Sequence, residues 1–206
     1  MSAVSETIVR EYFELHGFFV RQQCKYVAPT KREEEEIDFF LINPRPSPGE
    51  SGLPFVLGSG DLPGVSRAVV VVKGWHTETF SPGVLTHAPA MFRFVEGAAF
   101  EQAGRAFGDD RPLLKILVVP ALPQAADAQA KSIEFLRGKG IDAVLPFRTM
   151  LGDLIAQIEV NRNYQKSDLL QIIRILKNYD FLKDPQLELF KGRRKGRAPR
   201  GPAGKD

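Results

Sequence analysis

The sequence predicts an α/β fold: a three-layer sandwich around a central mixed sheet, with a helical pair at the C-terminal end. Three observations carry that expectation. The segments IDFFLI (37–42), AVVVV (68–72) and ILVV (116–119) are nearly continuous apolar runs of strand length, the pattern of strands covered on both faces. No helical pattern intervenes among the first three strand segments, which makes them an antiparallel meander. Helical and strand segments alternate afterwards, which adds strands through helical crossovers. At 206 residues, 43% hydrophobic and 26% charged, the chain has the size and composition of one globular domain with short appendages.

Residues 5–16 read as the opening helix. Ser5 is placed as its N-cap and Glu6 lies in the first turn, where the helix dipole favours an anion. Ile8, Val9, Tyr12, Phe13 and Leu15 form one apolar stripe, flanked on opposite sides by Glu6 and Glu11, and Gly17 is positioned to close the helix in the left-handed conformation. Phe18–Tyr26 follows as a strand, then the charge run Lys31–Glu36, then the strand Ile37–Ile42, interrupted by Asp38. Residues 43–66 contain five Pro and five Gly, so they form a loop far longer than the usual connection of about 4–6 residues. It is either a lid or a decorative insertion.

Arg67–Trp75 is the clearest strand. A helix over 91–107, a strand at Leu113–Val119, a helix at Gln124–Gly138 and a short strand at Asp142–Leu145 complete a core spanning 1–148. Helices at about 150–161 and 168–178 make a C-terminal extension over 149–190, the second capped by Ser167. Leu169, Leu170, Ile172, Ile173, Ile175 and Leu176 make that last helix apolar around much of its circumference, which calls for burial against its neighbour or a homodimer interface.

Charge is unevenly divided. Residues 191–206 hold seven Lys/Arg and one Asp, hence +6, while the other 190 residues hold 21 Lys/Arg and 24 Asp/Glu, hence −3. The tail lacks the apolar residues to fold alone and is expected to be disordered. It reads either as an arm that contacts nucleic-acid phosphates through Arg193, Arg194, Lys195, Arg197 and Arg200, or as a solubilising or partner-binding tail. No run approaches the roughly 20 apolar residues of a membrane span, and the N-terminus has no apolar signal region. The single cysteine, Cys24, excludes an internal disulfide and a multi-cysteine zinc site, so a cytoplasmic protein with no membrane association is expected.

Familiar catalytic signatures fail. There is no phosphate-binding loop of the Gly-x-x-x-x-Gly-Lys type, no serine-hydrolase elbow, and His76-Thr77-Glu78 lacks the cysteine pair that a zinc deaminase needs. What remains is Asp38 and Lys73, two charges set in strongly apolar neighbouring strands, where charged residues are seldom found unless paired. Adjacent strands lie about 4.8 Å apart, so one register lets carboxylate and ammonium meet. The bland interpretation of the same pair is a partly buried ion pair holding two strands together.

These residues resemble the PD-(D/E)xK nuclease superfamily, the fold of many restriction endonucleases and archaeal-type Holliday junction resolvases. The resemblance covers about residues 5–147 through element order and motif. ETIVREYFELHGFFV looks like the family's opening helix, with Glu6 eleven residues before the Gly-aromatic turn; EIDFFLI looks like the aspartate strand, and AVVVVKGW like the (D/E)xK strand. The resemblance implies Asp38, Lys73 and Glu6 as catalytic residues, Mg²⁺ or Mn²⁺ held by Asp38 and Glu6, and DNA rather than RNA as substrate. Gln102 matches a polar residue that some subfamilies use on the following helix. One position departs: the family's second acid, two residues before the lysine, is Val71 here. Glu36, which shares a strand face with Asp38, is the candidate replacement ligand. A fold that has lost its chemistry and serves in nucleic-acid binding or assembly is the competing expectation.

Overall fold

The computed structural model describes residues 3–23, 37–47, 52–108 and 112–182, without the side chains of residues 98, 99, 102, 103 and 106. The opening helix α1 (Ala3–Leu15) leads into the strands β1 (Phe19–Gln22), β2 (Phe39–Ile42) and β3 (Arg67–Val72). Then come α2 (Pro82–Thr86), α3 (Gly97–Phe107), β4 (Leu114–Val119), α4 (Ala126–Gly138), β5 (Ala143–Pro146), α5 (Phe147–Gln157) and α6 (Asp168–Asn178). The five strands form one mixed sheet in the order β1-β2-β3-β4-β5. The first three are antiparallel, and β3, β4 and β5 run parallel.

The sheet is covered on both faces, which is why its central strands are apolar throughout. Every residue of β3 is buried. Alternation sends Val70 and Val72, with Ile116 and Val118, into a core with Val9, Tyr12 and Phe13 of α1, Met150 and Leu154 of α5, and Leu170 and Ile173 of α6. Val69 and Val71, with Leu117 and Val119, pack beneath Leu85 of α2 and Leu136 of α4. These are the three expected layers.

Helix α1 already includes Ala3, so Ser5 lies inside the helix and not at its cap, and it is fully buried. Its C-terminus is as expected: Gly17 has φ +80°, and the Phe18 N–H donates to the Phe13 carbonyl at 3.0 Å. The helix expected over 91–107 is broken at Glu96 into a 3₁₀ segment, Pro89–Val95, and α3. Ser167 caps α6, accepting from the Leu170 N–H at 3.3 Å. Helix α6 buries Leu170 and Ile173 and leaves Ile172, Ile175 and Tyr179 exposed.

The described residues of the Pro/Gly-rich loop are built into the fold. Its ends lie beside the Ile42–Arg67 strand pair, away from Asp38 at the other end of β2. Val56 forms a parallel bridge with Val144, so the loop adds backbone pairing to the outer edge of β5. Phe55, Leu57, Leu62 and Val65 are buried from it. The bridge satisfies the Val144 N–H and carbonyl at that edge, where they would otherwise be open for pairing.

The loop also touches α1, where the buried Tyr12 hydroxyl bonds Ser59 Oγ at 2.9 Å. Burial pushes the Tyr12 phenol up to about 12, against the opposing effect of the Ser59 hydrogen bond and with a smaller upward push from the Asp153 and Asp61 charges. A pKa raised in the folded state stabilises fully below the ordinary tyrosine value of 10.0 and ceases to do so as pH rises through the folded value. Stability should therefore fall by roughly 2–3 kcal/mol from below pH 10 to above pH 12 on account of this group. Denaturant unfolding of the wild type and Tyr12→Phe across that interval checks it: the variant should show the shallower decline, and parallel declines would refute the assignment.

Candidate functional site

The site candidates gather at one end of the sheet, where β1 and β3 finish, β2 starts and α1 begins. Register places them there. Gln22 pairs with Phe39, and Phe39 pairs with Val70. Just beyond these pairs, the Gln23 N–H donates to the Asp38 carbonyl at 2.9 Å and the Asp38 N–H donates to the Val70 carbonyl at 3.0 Å. The Asp38 carboxylate extends the ladder: Oδ2 accepts the Val72 N–H at 2.8 Å. Asp38 is 3% exposed. The structure thus delivers its carboxylate to the β3 backbone one residue before Lys73.

Lys73 lies just past the end of β3, yet its N–H still bonds the Val118 carbonyl at 3.0 Å, so the backbone there remains tied to β4. Its side chain is partly exposed. Val71, in the second acid's position, is wholly buried among apolar side chains and offers no ligand.

Glu6 stands at the same sheet end, on α1. Its Oε2 accepts from Gln22 Nε2 at 2.7 Å, tying the helix acid to the last residue of β1. The other flanking acid, Glu11, is turned elsewhere: it pairs with Arg10 at 3.3 Å and lines a groove shared with Tyr164 and Lys166 before α6. Gln102 falls on α3 with its side chain outside the described atoms. Glu36 and the tail residues Arg193, Arg194, Lys195, Arg197 and Arg200 lie outside the described residues.

Three residues at this end carry no signal of catalytic type in the sequence. Ser5 Oγ lies 3.0 Å from His76 Nε2, joining the start of α1 to the segment that leaves β3. The His76 ring in turn packs edge-on against Phe147 at the start of α5, with centroids 4.6 Å apart. Gly74 permits the approach, since a Cβ there would fall 2.5 Å from Ser5 Oγ and 3.1 Å from Ser5 Cβ. A glycine at the end of an apolar strand is the one sequence sign of such close backbone contact.

The donor set is small. Among the described residues, no group of three or more His, Cys, Asp or Glu side chains could hold a metal ion. Among the described residues, Asp38 and Glu6 place carboxylates at this end, Asp38 accepting from the Val72 N–H and Glu6 from the Gln22 amide. Mg²⁺ keeps several waters and commonly uses one or two carboxylates plus substrate phosphate, whereas a metal needing a full protein cage finds no donor set among the described residues. No family model, characterised protein or solved structure matches this chain. Among the described residues no helix is long and apolar enough to cross a membrane.

Proposed function

We propose that this chain is a metal-dependent nuclease of PD-(D/E)xK type, on a restriction-endonuclease-like core, that hydrolyses phosphodiester bonds in DNA. The observation that carries the proposal is the Asp38 carboxylate seated on the Val72 N–H, next to Lys73, at the sheet end where α1 presents Glu6. Element order supports it: one helix, an antiparallel three-strand meander, then parallel strands joined by helices.

The chain's own residues divide the work. The Val72 N–H orients the Asp38 carboxylate, and Gln22 orients Glu6. These carboxylates, with Glu36, would hold Mg²⁺ or Mn²⁺, which when bound supplies charge neutralisation on the phosphate and a more acidic water. The Lys73 ammonium would stabilise the added negative charge as water oxygen bonds to phosphorus and the bond to one bridging oxygen breaks.

A second reading is favoured by Val71. Its complete burial removes one ligand, and the Asp38–Val72 hydrogen bond gives Asp38 a structural reason to be present. On that reading the fold serves as a nucleic-acid-binding or assembly module without chemistry. Incubating the purified full chain with plasmid, junction and single-stranded DNA, with Mg²⁺ and separately Mn²⁺, separates the two. Cleavage that requires the metal is the expected result. Binding without cutting in both metals would favour the module.

A further inference from the structure

The segment leaving β3 carries the chain's single tryptophan, Trp75, two residues beyond Lys73. Trp75 is 43% exposed, although an indole is normally largely buried. Its ring rests on the buried Phe80, with centroids 5.7 Å apart and planes at 57°. Backbone bonds fix both: the Phe80 N–H donates to the Ala121 carbonyl at 2.9 Å, and the Glu78 N–H to the Trp75 carbonyl at 2.8 Å. The exposed part of Trp75 lines an open groove of about 880 Å³, walled by Thr77, Glu78, Ser81, Val84 and His87.

The groove is mostly apolar with polar groups set into it: the indole shares it with Val84 and Ala88 and with the polar Thr77, Glu78, Ser81 and His87, which suits a flat apolar ring with polar edges. His87 Nδ1 is bound to the Gly83 carbonyl at 2.7 Å, which fixes the ring in the groove wall. A carboxylate such as Glu78 accepts from a base N–H, the N3–H of an unpaired thymine included. Trp75 and Lys73 are two residues apart, and two residues of extended chain span at most ~7 Å, so both side chains leave the end of β3 from neighbouring backbone positions.

We propose that the Trp75 groove holds an unpaired nucleobase of a single-stranded substrate, adjacent to the phosphate at Lys73. This rests on the nuclease reading and adds the strandedness that the fold alone leaves open. Bases in a duplex are already stacked on one another, so only an unpaired base offers its face to the indole without an unstacking penalty. The indole is already held by Phe80 and the turn, so little side-chain freedom is lost on binding.

The single tryptophan makes the test direct, because any change in indole emission belongs to residue 75. The full chain is titrated, without divalent metal, with labelled oligo-dT and with a blunt duplex of equal length. Indole emission and label anisotropy are both followed. Oligo-dT should quench the indole and bind more tightly than the duplex. Trp75→Ala should weaken oligo-dT binding about tenfold, and Trp75→Phe by less. The quenching is read on unaltered protein, so the test does not depend on the variants folding. Oligo-dT binding with unchanged emission, duplex binding as tight as single-strand binding, or no binding of either overturns the inference. Cleavage in Mg²⁺ without quenching leaves the nuclease reading standing and removes this one. Quenching without cleavage in Mg²⁺ or Mn²⁺ does the reverse.

Discussion

Asp38→Ala is expected to destabilise the fold by about 1–3 kcal/mol and to abolish metal-dependent cleavage, whereas Asp38→Asn should abolish cleavage alone. The stability term follows from the Val72 N–H, a buried donor whose acceptor is the Asp38 carboxylate. Removing the acceptor leaves that donor unsatisfied. For a chain of this length, each kcal/mol lowers Tm by about 2–4 °C. Asparagine retains a carbonyl oxygen in the same place, so the bond to Val72 survives, but the negative charge that would hold a cation does not. Loss of that cation should reduce cleavage at least a hundredfold, about 2.7 kcal/mol of barrier. Denaturant unfolding and the plasmid assay on both variants give the answer. Asp38→Asn cutting like the wild type would assign Asp38 to structure alone. Asp38→Asn as unstable as Asp38→Ala would refute the role given to the hydrogen bond.

What the sequence made legible follows burial. β3 and β4 were readable because both their faces are covered, so every position from Ala68 to Val72 and from Ile116 to Val119 is apolar and no alternation has to be found. Helix α6 was readable because its start is written in a local bond, Ser167 Oγ to the Leu170 N–H. Elements set by tertiary contact were not. The Pro/Gly composition of 43–66 announces a loop correctly, but the Val56–Val144 bridge depends on where β5 sits, and nothing local encodes that. The Pro82–Thr86 turn of helix is too short for a periodicity signal, and only the Ser81-Pro82 start marks it. Helix α1 starts ahead of Ser5 because that serine is engaged by His76, 71 residues away, so a residue suited to capping is used for packing.

The candidate site divides in the same way. The strand spacing of Asp38 and Lys73 was readable, because two charges in apolar strands stand out. How Asp38 is held was not, since the Val72 N–H is a backbone group with no sequence identity of its own. Glu6 could be chosen over Glu11 only by resemblance. In the structure the two separate by neighbour: Gln22 draws Glu6 to the sheet end, while Arg10 pairs with Glu11 beside the α5–α6 connection. The exposure of Trp75 has no sequence signal: a tryptophan after an apolar strand ordinarily packs inward, whereas in the structure its ring rests on Phe80 with 43% of the residue exposed.

Gly74→Ala should be among the most damaging single-methyl changes in the chain, although it adds no charge and removes no contact. The new Cβ would stand 2.5 Å from Ser5 Oγ and 3.1 Å from Ser5 Cβ. Rotating the Ser5 hydroxyl away relieves the first contact at the expense of the 3.0 Å bond to His76. The second can be relieved only by moving the start of α1, which is anchored through Ile8 and Val9 in the core. Overpacking of this sort costs about 1–3 kcal/mol. Ser5→Ala should cost about 1 kcal/mol by itself through the lost hydrogen bond. Combined with Gly74→Ala it should be less damaging than the two added together, by at least ~0.5 kcal/mol, because the worst contact has gone. Glu6 is the next residue along α1, so displacement of the helix start carries it from Gln22, and metal-dependent cleavage should fall in Gly74→Ala and partly return in the double variant. Urea unfolding of the four proteins in the cycle gives the coupling. Strict additivity, or a Gly74→Ala protein as stable and active as the wild type, would mean that α1 is not seated on the end of β3 through Ser5.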